Sequence, residues 1–375
     1  MASTVVDRHR HLLRCATLLL ALPALTLLAS PPVLAASTWW VSAPGPTRDL
    51  SEVASNSSTT TLGISGGRSY WLDVERGSLL ATGDQGAATF VAASETRGWI
   101  LNRDGSLYSS QLGGPARRLQ SLPGRALGLA VSPAPHPTLV AVTSKGIYLG
   151  PAGDRLFPRG SPPDGSSLLA LAGPVVRGQP FVVATTRGIY LLAADGHLAL
   201  SRNSPRLGAG AAVAELGDGI IFAGDDRGTI YALYSIGWTP IFQILPQGGL
   251  QGVPNLTAMV GVGPDAAYVA TRGFGTLLTP DGGYSWYRAA PSADVVALAA
   301  LGPIYSRKPS GLVLAATPRG LFIHHLQTLP APPTYAGSAE TAQLLGTAAV
   351  TAVAAILAIA GLWAITRRRR RRLFV

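Results

Sequence analysis

The residues of this sequence that could carry chemistry recur in one short phrase, in which a cation stands directly before a glycine. The six cations are Arg97, Lys145, Arg187, Arg227, Arg272 and Arg319. If the six segments are structurally equivalent, these side chains project from the same turn and form a ring of positive charge, suited to an acidic glycan, a phosphate-bearing polymer or an acidic protein patch. The alternative is that a solvated cation only keeps an exposed turn polar and discourages edge pairing.

Groups for acid–base or metal chemistry are sparse. After residue 36 the glutamates are Glu52, Glu75, Glu95, Glu215 and Glu340, and none stands in a recognisable setting with a tyrosine. An acidic pair across a cleft would still suffice for a glycosidase. The adjacent His324 and His325 would point to opposite faces of a strand, which is poor geometry for chelation. We therefore expect no metal and no cofactor, and we regard catalysis as unsupported.

The spacing of the phrase predicts the fold. Its glycines lie 48, 42, 40, 45 and 47 residues apart, and a period near 44 residues is typical of one blade of a β-propeller. A strand-like apolar run, such as residues 181–184, precedes each phrase, and an aromatic or β-branched strand follows it. Apolar runs between the phrases, such as residues 168–172, fit an innermost strand that is buried on both faces.

We predict an all-β propeller of seven blades over residues 37–328, with six blades as the alternative. Six phrases are clear. The stretch before Gly98 has room for one more blade, although Gly77 and Gly98 are only half a period apart. Closure of the ring would use either residues 39–41 or the last strand before Pro330.

The two ends of the chain predict export and anchoring. Residues 1–36 have three arginines, an apolar run and small residues at a cleavage point after Ala35 or Ala36, which is the pattern of a signal peptide. An uncleaved N-terminal anchor is the alternative. The single cysteine, Cys15, lies in this segment, so the mature chain would have no disulfide, no Cys-bound metal and no cysteine nucleophile.

The C-terminal end predicts a membrane span. Residues 344–365 carry no charge and are long enough to cross the bilayer as one transmembrane helix. Residues 366–375 form a cytoplasmic tail, since an arginine cluster stays inside, and residues 329–343 form a Pro-rich stalk. The cluster comprises Arg367, Arg368, Arg369, Arg370, Arg371 and Arg372. The prediction is a single-pass plasma-membrane protein with its ectodomain outside; removal of the C-terminus by a sorting enzyme is the alternative.

The net charge does not indicate a nucleic-acid partner. The chain carries +11, but residues 1–36 contribute +2 and the tail +6, which leaves +3 for residues 37–366. A basic total made by two short terminal segments says nothing about the folded part. We therefore expect no binding to nucleic acid.

Residues 279–286, with the sequence Thr-Pro-Asp-Gly-Gly-Tyr-Ser-Trp, resemble an Asp-box. This hairpin occurs in bacterial neuraminidase repeats, which sialidases, sortilin-type receptors and photosystem II assembly factors share. The resemblance extends over residues 60–328, but only this unit has the full box, formed by Thr279, Asp281, Gly283 and Trp286. It implies a propeller fold and a structural hairpin away from the ligand face, and it implies no particular activity.

Physical reasoning about the box agrees with this. Asp281 can accept hydrogen bonds from backbone N–H groups across the turn, and Gly282 or Gly283 can adopt positive φ. Trp286 can pack its ring between two blades. We therefore expect these residues to stabilise the fold.

Taken together, the sequence predicts a membrane-anchored extracytoplasmic propeller that serves as an interaction or scaffold module, with a protein or an anionic glycan as partner. The alternative is a cell-surface glycosidase of sialidase-like architecture. A cluster of Arg, Tyr, Glu and Asp in the central mouth would favour the enzyme.

Overall fold

The computed structural model describes most of the predicted propeller. The described residues are 34–35, 40–42, 50–56, 58–83, 86–161, 166–208, 210–244, 256–272, 275–289, 294–302 and 311–326. Most of the predicted signal peptide, the stalk, the predicted transmembrane helix and the tail with Arg367 to Arg372 lie outside them. In the part that is described, no helix has the length and apolar character needed to cross a membrane.

The described residues form short β-strands. In chain order they are β1 Leu34–Ala35, β2 Trp40–Ser42, β3 Leu50–Val53, β4 Thr60–Ser65, β5 Arg68–Asp73, β6 Ser78–Ala81, β7 Ala88–Ala93, β8 Arg97–Asn102, β9 Ser106–Gln111, β10 Ala116–Ser121, β11 Ala126–Val131, β12 Thr138–Thr143, β13 Gly146–Pro151, β14 Phe157–Gly160, β15 Leu168–Ala172, β16 Phe181–Thr185, β17 Gly188–Leu192, β18 Leu198–Leu200, β19 Ala212–Glu215, β20 Ile221–Gly224, β21 Thr229–Tyr234, β22 Gly237–Gln243, β23 Leu256–Gly261, β24 Ala267–Thr271, β25 Gly275–Thr279, β26 Tyr287–Ala289, β27 Ala297–Leu301, β28 Leu312–Thr317 and β29 Gly320–His325.

These strands build seven antiparallel sheets, and each sheet is one blade. Blade 1 contains β3–β6, blade 2 β7–β10, blade 3 β11–β14, blade 4 β15–β18, blade 5 β19–β22, blade 6 β23–β26, and blade 7 β27–β29 together with β2. The first strand of each blade contacts the first strand of the next, and β27 contacts β3, so the ring closes. The prediction of a seven-bladed propeller is confirmed.

The ring is closed by a strand from the start of the chain. β2 pairs antiparallel with β29, with Trp40 opposite His324, and so completes blade 7. This is the first of the two predicted modes of closure. Blades 1 and 7 are also joined by backbone hydrogen bonds, from Asn56 N–H to the Ala300 carbonyl and from Gly302 N–H to the Asn56 carbonyl, both 2.9 Å. Because these contacts join distant parts of the chain, the ring depends on both ends of the propeller being in place.

One strand lies within the predicted signal peptide. β1 pairs in parallel with β26, with Leu34 opposite Tyr287. Cleavage after Ala36 would remove β1 and would leave β26 as the outer strand of a four-stranded blade 6.

The core lies between the blades rather than inside them. Successive residues of a central strand face opposite neighbours, because side chains alternate across a strand. In β12, Leu139 and Ala141 pack toward blade 2, while Val140 and Val142 pack toward blade 4. All four side chains are fully buried. Every blade therefore contributes apolar side chains to two interfaces.

The hairpin of residues 279–286, between β25 and β26, is fastened to blade 5 by a hydrogen bond from the Tyr234 hydroxyl to the Gly282 carbonyl at 2.7 Å. Asp281 Oδ1 accepts a hydrogen bond from the Ser285 N–H at 2.7 Å, and Thr279 Oγ1 accepts one from the Gly283 N–H at 2.7 Å. Gly282 and Gly283 both have positive φ, at 71° and 100°. The side-chain oxygens of Thr279 and Asp281 thus hold the backbone of a turn that glycine makes accessible.

The tryptophan of the hairpin fills the interface between blades 5 and 6. Trp286 is 1% exposed. Its ring stacks on Phe242 with centroids 4.8 Å apart, and its Nε1–H donates to the Gly283 carbonyl at 2.9 Å. The indole ring therefore packs in the apolar interface, while its N–H group holds the backbone of the turn.

Replacing Trp286 by Ala is expected to destabilise the propeller by about 3–5 kcal/mol, because it removes a buried aromatic ring and leaves a cavity. Asp281→Ala should cost about 1–3 kcal/mol because it removes the acceptor of the Ser285 N–H, whereas Asp281→Asn keeps an acceptor oxygen and should cost less. Urea unfolding of the full-length protein in detergent, followed by tryptophan fluorescence and circular dichroism, measures these differences. Equal losses for the two Asp281 variants would contradict this account of the carboxylate.

A buried polar pair joins blades 6 and 7. Tyr268 of β24 and His324 of β29 are both fully buried, and the Tyr268 hydroxyl is hydrogen-bonded to His324 Nδ1. Burial lowers the pKa of His324 to about 4, with a further contribution from the neighbouring His325, and burial raises the pKa of Tyr268. At neutral pH the imidazole is thus uncharged, and its hydrogen bond with Tyr268 joins two uncharged groups.

This pair predicts loss of stability in mild acid. The pKa of His324 in the folded chain lies below that of an unfolded histidine, so its contribution is complete above about pH 6.5 and is lost as the pH falls toward 4. The melting temperature should therefore fall over this window, and it should fall less in His324→Gln, which keeps an uncharged partner for Tyr268. Identical pH dependence of the two proteins would show that His324 does not protonate on unfolding.

Candidate functional site

The meander within each blade divides the loops between two faces of the propeller. Consecutive antiparallel strands reverse direction, so the hairpins between strands 2 and 3 lie at the same end as the connections to the next blade. The hairpins between strands 1 and 2 and between strands 3 and 4 lie at the opposite end. The face on which a loop lies therefore depends on how many strands of its blade precede it.

A recurring hydrogen-bond pattern holds the hairpins between strands 2 and 3. In blade 4 the buried Thr185 Oγ1 accepts from the Arg187 N–H at 3.2 Å and donates to the Gly188 carbonyl at 2.9 Å. In blade 7, Thr317 does the same with Arg319 and Gly320, at 3.2 and 2.8 Å. The acceptor in blades 3 and 5 is Thr143 and Asp225, respectively. The hydroxyl or carboxylate satisfies the turn internally, which leaves the side chain of the cation free to point outward.

The glycine of the phrase is required by the same turn. Gly188 and Gly320 have φ of 148° and 143°, a region that is open only to glycine. The phrase Thr-x-Arg-Gly is thus a complete turn, with a buried hydroxyl, an exposed cation and a residue that permits the reversal.

Five of the six predicted ring cations lie in these hairpins. They are Lys145, Arg187, Arg227, Arg272 and Arg319, and all five are exposed. The sixth does not join them. Arg97 begins β8, the second strand of blade 2, and so lies at the opposite face, where its guanidinium adjoins Gly153 of blade 3.

In blade 2 the position of the ring cation is held by Arg103. The hairpin between β8 and β9 contains Arg103, Asp104 and Gly105, and Gly105 has a φ of 86°. The sequence assignment failed here because Arg97 and Gly98 at the start of β8 match the phrase, whereas Asp104 separates Arg103 from Gly105 in the hairpin that is equivalent to those of the other blades. With Gly105 in place of Gly98, the next two intervals are 41 and 42 residues, closer to the spacing of the following blades.

The two faces differ strongly in charge. On the first face, which we call the cationic face, the described charged residues in or next to the loops are mostly basic: Arg68, Arg103, Arg125, Lys145, Arg187, Arg202, Arg206, Arg227, Arg272 and Arg319, against Asp104, Asp225, Asp226 and Asp294. On the opposite face, which we call the acidic face, they are Arg76, Arg97, Arg155 and Arg177, against Asp73, Glu75, Glu95, Asp154, Asp195, Asp218, Asp265 and Asp281. Over the described loops, one face of the propeller is therefore net positive and the other net negative.

Two pockets open on the cationic face. The first, of about 560 Å³, lies at the hairpin of blade 2 and is lined by Arg103, Asp104, Tyr108 and Arg125, together with Asn102 and small residues. The second, of about 520 Å³, lies at the hairpin of blade 4 and is lined by Thr186, Arg187, Tyr190, Leu200 and Arg206. Each pocket combines an arginine of a hairpin, an arginine of the following connection and a tyrosine.

The arginines of the pockets are available to a ligand. Among the described residues, none of the four pocket arginines forms an ion pair; these are Arg103, Arg125, Arg187 and Arg206. The carboxylate of the first pocket is engaged locally, since Asp104 accepts from the Ser106 N–H at 2.9 Å and from its hydroxyl at 3.1 Å. Guanidinium groups without internal partners suit carboxylate or phosphate groups, which they bind in a bidentate manner.

The Asp-box lies on the acidic face, away from both pockets. Burial raises the pKa of Asp265, and the nearby Asp218 and Asp281 raise it further, while a backbone hydrogen bond lowers it. The predicted box residues Thr279, Asp281, Gly283 and Trp286 line neither pocket. No group of three or more His, Cys, Asp or Glu in the described part of the chain is arranged to hold a metal ion.

The described glutamates considered for a glycosidase lie on different strands and loops. Glu52 is on the innermost strand of blade 1 and Glu215 is on that of blade 5, whereas Glu75 and Glu95 are in loops of the acidic face. Burial raises the pKa of Glu52 to about 8 and that of Glu215 to about 7. Glu215 Oε2 accepts from the Val175 N–H at 3.1 Å and so fastens blade 5 to a loop of blade 4.

The raised pKa of Glu52 predicts that stability falls with rising pH. The folded chain holds this proton more tightly than the unfolded chain, so the contribution is complete below about pH 4.5 and is lost as the pH rises through 8. Glu52→Gln should therefore match the native protein near pH 4.5 and melt at a higher temperature at pH 8.5. A variant that melts at a lower temperature at both pH values would show that the ionised carboxylate has a partner.

Comparison with known proteins supports the fold alone. No protein-family model matches the sequence, and no curated protein is similar to it. Among solved structures, YCF48 from Cyanidioschyzon merolae is 14% identical with a TM-score of 0.54, covering 77% of this chain and 99% of that chain. A structure of YCF48 bound to D1 peptide is 14% identical with a TM-score of 0.57, covering 79% and 99%. Virginiamycin B lyase from Staphylococcus aureus is 10% identical with a TM-score of 0.57, covering 76% and 97%. At these identities the likeness identifies a β-propeller and not an activity.

Proposed function

We propose that this protein is a membrane-anchored, extracytoplasmic binding module that holds an acidic segment of a partner protein on its cationic face. The observation that supports this most directly is the separation of charge between the two faces. The cations are concentrated where the hairpins between strands 2 and 3 meet the connections between blades. A surface of one sign attracts a ligand of the opposite sign and raises its association rate.

The architecture supports binding better than chemistry. Blades packed on both sides hold their hairpins in fixed positions, and loops on a rigid scaffold are the usual place for recognition. In blades 3, 4, 5 and 7 a side-chain oxygen accepts the backbone N–H of the cation, so the turn is held without the charged side chain. No comparable convergence of acid–base groups supports the glycosidase.

A protein partner is favoured over an acidic glycan by the lining of the pockets. Tyr190 and the exposed Leu200 stand beside Arg187 and Arg206. A tyrosine ring and an apolar side chain can pack against the methylene groups of an acidic side chain while the guanidinium groups hold its carboxylate. Among propellers of similar fold, YCF48 has been solved bound to a peptide, which is consistent with such a partner.

The membrane anchor is the remaining part of the proposal. It rests on the uncharged residues 344–365 followed by Arg367 to Arg372. The described chain leaves β29 at the end opposite to the hairpin that carries Arg319, so it leaves the propeller at the acidic face.

The proposal predicts that reversing charge on the cationic face abolishes binding of an acidic peptide. Arg187→Glu combined with Arg227→Glu should weaken binding of a fluorescein-labelled peptide of ten glutamates by at least about tenfold, and it should flatten the dependence of affinity on salt. Fluorescence anisotropy with the full-length protein in detergent measures both. A synthetic peptide of residues 366–375 measures the background from the tail, which every variant retains.

The matched control reverses two arginines of the acidic face, Arg155→Glu with Arg177→Glu. It changes the net charge equally and should change the affinity by less than about twofold. Equal effects of the two double variants would show that only total charge matters, and the proposal would fail. If an oligogalacturonate with the same number of carboxylates binds more tightly than the peptide, the ligand is an acidic glycan and the proposal of a protein partner is wrong.

A further inference from the structure

We infer that the two pockets of the cationic face are paired carboxylate subsites, so that the ligand is an acidic segment that places one carboxylate cluster in blade 2 and another in blade 4. This rests on the proposed function and makes it more specific. It assigns binding roles to Arg103, Arg125 and Arg206, which lie outside the predicted ring.

The two pockets have the same construction. In blade 2, Arg103 comes from the hairpin and Arg125 from the connection that leads to blade 3. In blade 4, Arg187 comes from the hairpin and Arg206 from the connection that leads to blade 5. The two pockets share this construction because the hairpin between strands 2 and 3 and the connection to the next blade lie on the same face in every blade.

Each pocket also has a tyrosine from its third strand. Tyr108 lies on β9 and Tyr190 on β17. A phenol can donate a hydrogen bond to a carboxylate that two guanidinium groups already hold. The shared set of two arginines and one tyrosine thus provides both charge and directional donors.

The connections that carry the second arginine are held in place by hydrogen bonds. In blade 2, Gly105 N–H donates to the Asn102 carbonyl and Leu122 N–H donates to the Gly105 carbonyl, at 3.0 and 2.9 Å. In blade 4, Ser204 Oγ accepts from the Ile189 N–H at 3.1 Å, which ties the connection of Arg206 to the strand that follows Arg187. The backbones of each arginine pair are therefore held near one another before a ligand arrives.

Blade 3 separates the two pockets, so a short diacid cannot reach both. A peptide with two acidic ends can, provided that its spacer is long enough. Binding of the second end is then intramolecular, and affinity passes through a maximum when the spacer matches the distance between the sites. This maximum distinguishes two built subsites from a diffuse positive surface, for which affinity depends only on total charge.

The experiment uses labelled peptides with Glu-Glu at each end and a Gly-Ser spacer of two to sixteen residues, titrated into the full-length protein in detergent. The expected result is a maximum at an intermediate spacer, at least about tenfold tighter than the peptide with one Glu-Glu end. Arg103→Gln with Arg125→Gln, and separately Arg187→Gln with Arg206→Gln, should each remove the maximum. The residual affinity should equal that of the peptide with one acidic end.

The control is Lys145→Gln with Arg227→Gln, which removes the same charge from the same face outside both pockets. It should lower all affinities together and keep the maximum. Thermal melting and circular dichroism of each variant confirm that the propeller remains folded. If peptides bind without a maximum, or if the control also removes it, the paired subsites are refuted while the proposed function stands. If no acidic peptide binds above the background of the tail, both are refuted.

Discussion

The burial of both faces of every blade against its neighbours is the constraint on which the rest of this structure depends. A single four-stranded sheet of this sequence exposes apolar side chains on both sides and has no core of its own. Only a closed ring buries all of them, and closure requires β2, from the start of the chain, to pair with β29 at the end of the propeller. The interface between blades 5 and 6 is an example, since Trp286 stacks on Phe242 there and is almost completely removed from water.

This constraint also determines where charge can be placed. Because the central strands are buried on both sides, charged residues are restricted largely to the loops and the outer strands, which is consistent with a charged fraction of only 13%. The meander then sorts loop residues to one face or the other. Cations in the hairpins between strands 2 and 3 share a face, while the carboxylates of the Asp-box and its neighbours share the opposite one. The difference in charge between the two faces thus arises from topology together with a repeated turn.

The polar groups that remain inside are held by contacts between blades. Tyr268 and His324 satisfy one another across the interface of blades 6 and 7, and Glu215 holds a loop of blade 4. Each keeps its uncharged form near neutral pH more readily than in water, since burial disfavours the charged form. These groups belong to the scaffold, whereas the four arginines of the two pockets form no ion pair among the described residues.

The sequence by itself determined the period of the repeat, the number of blades and one correct mode of closure. These features follow from local rules: alternation of apolar residues, glycine at positive φ and side-chain oxygens that hold a turn. The tertiary structure alone decided which face each turn occupies. The segment with Arg97 and that with Arg187 read alike, because hairpins at both ends of a blade need similar residues, and only the count of strands separates them. The same is true of Arg103, Arg125 and Arg206, whose proximity in space arises when hairpins and connections distant in sequence meet on one face of a closed ring.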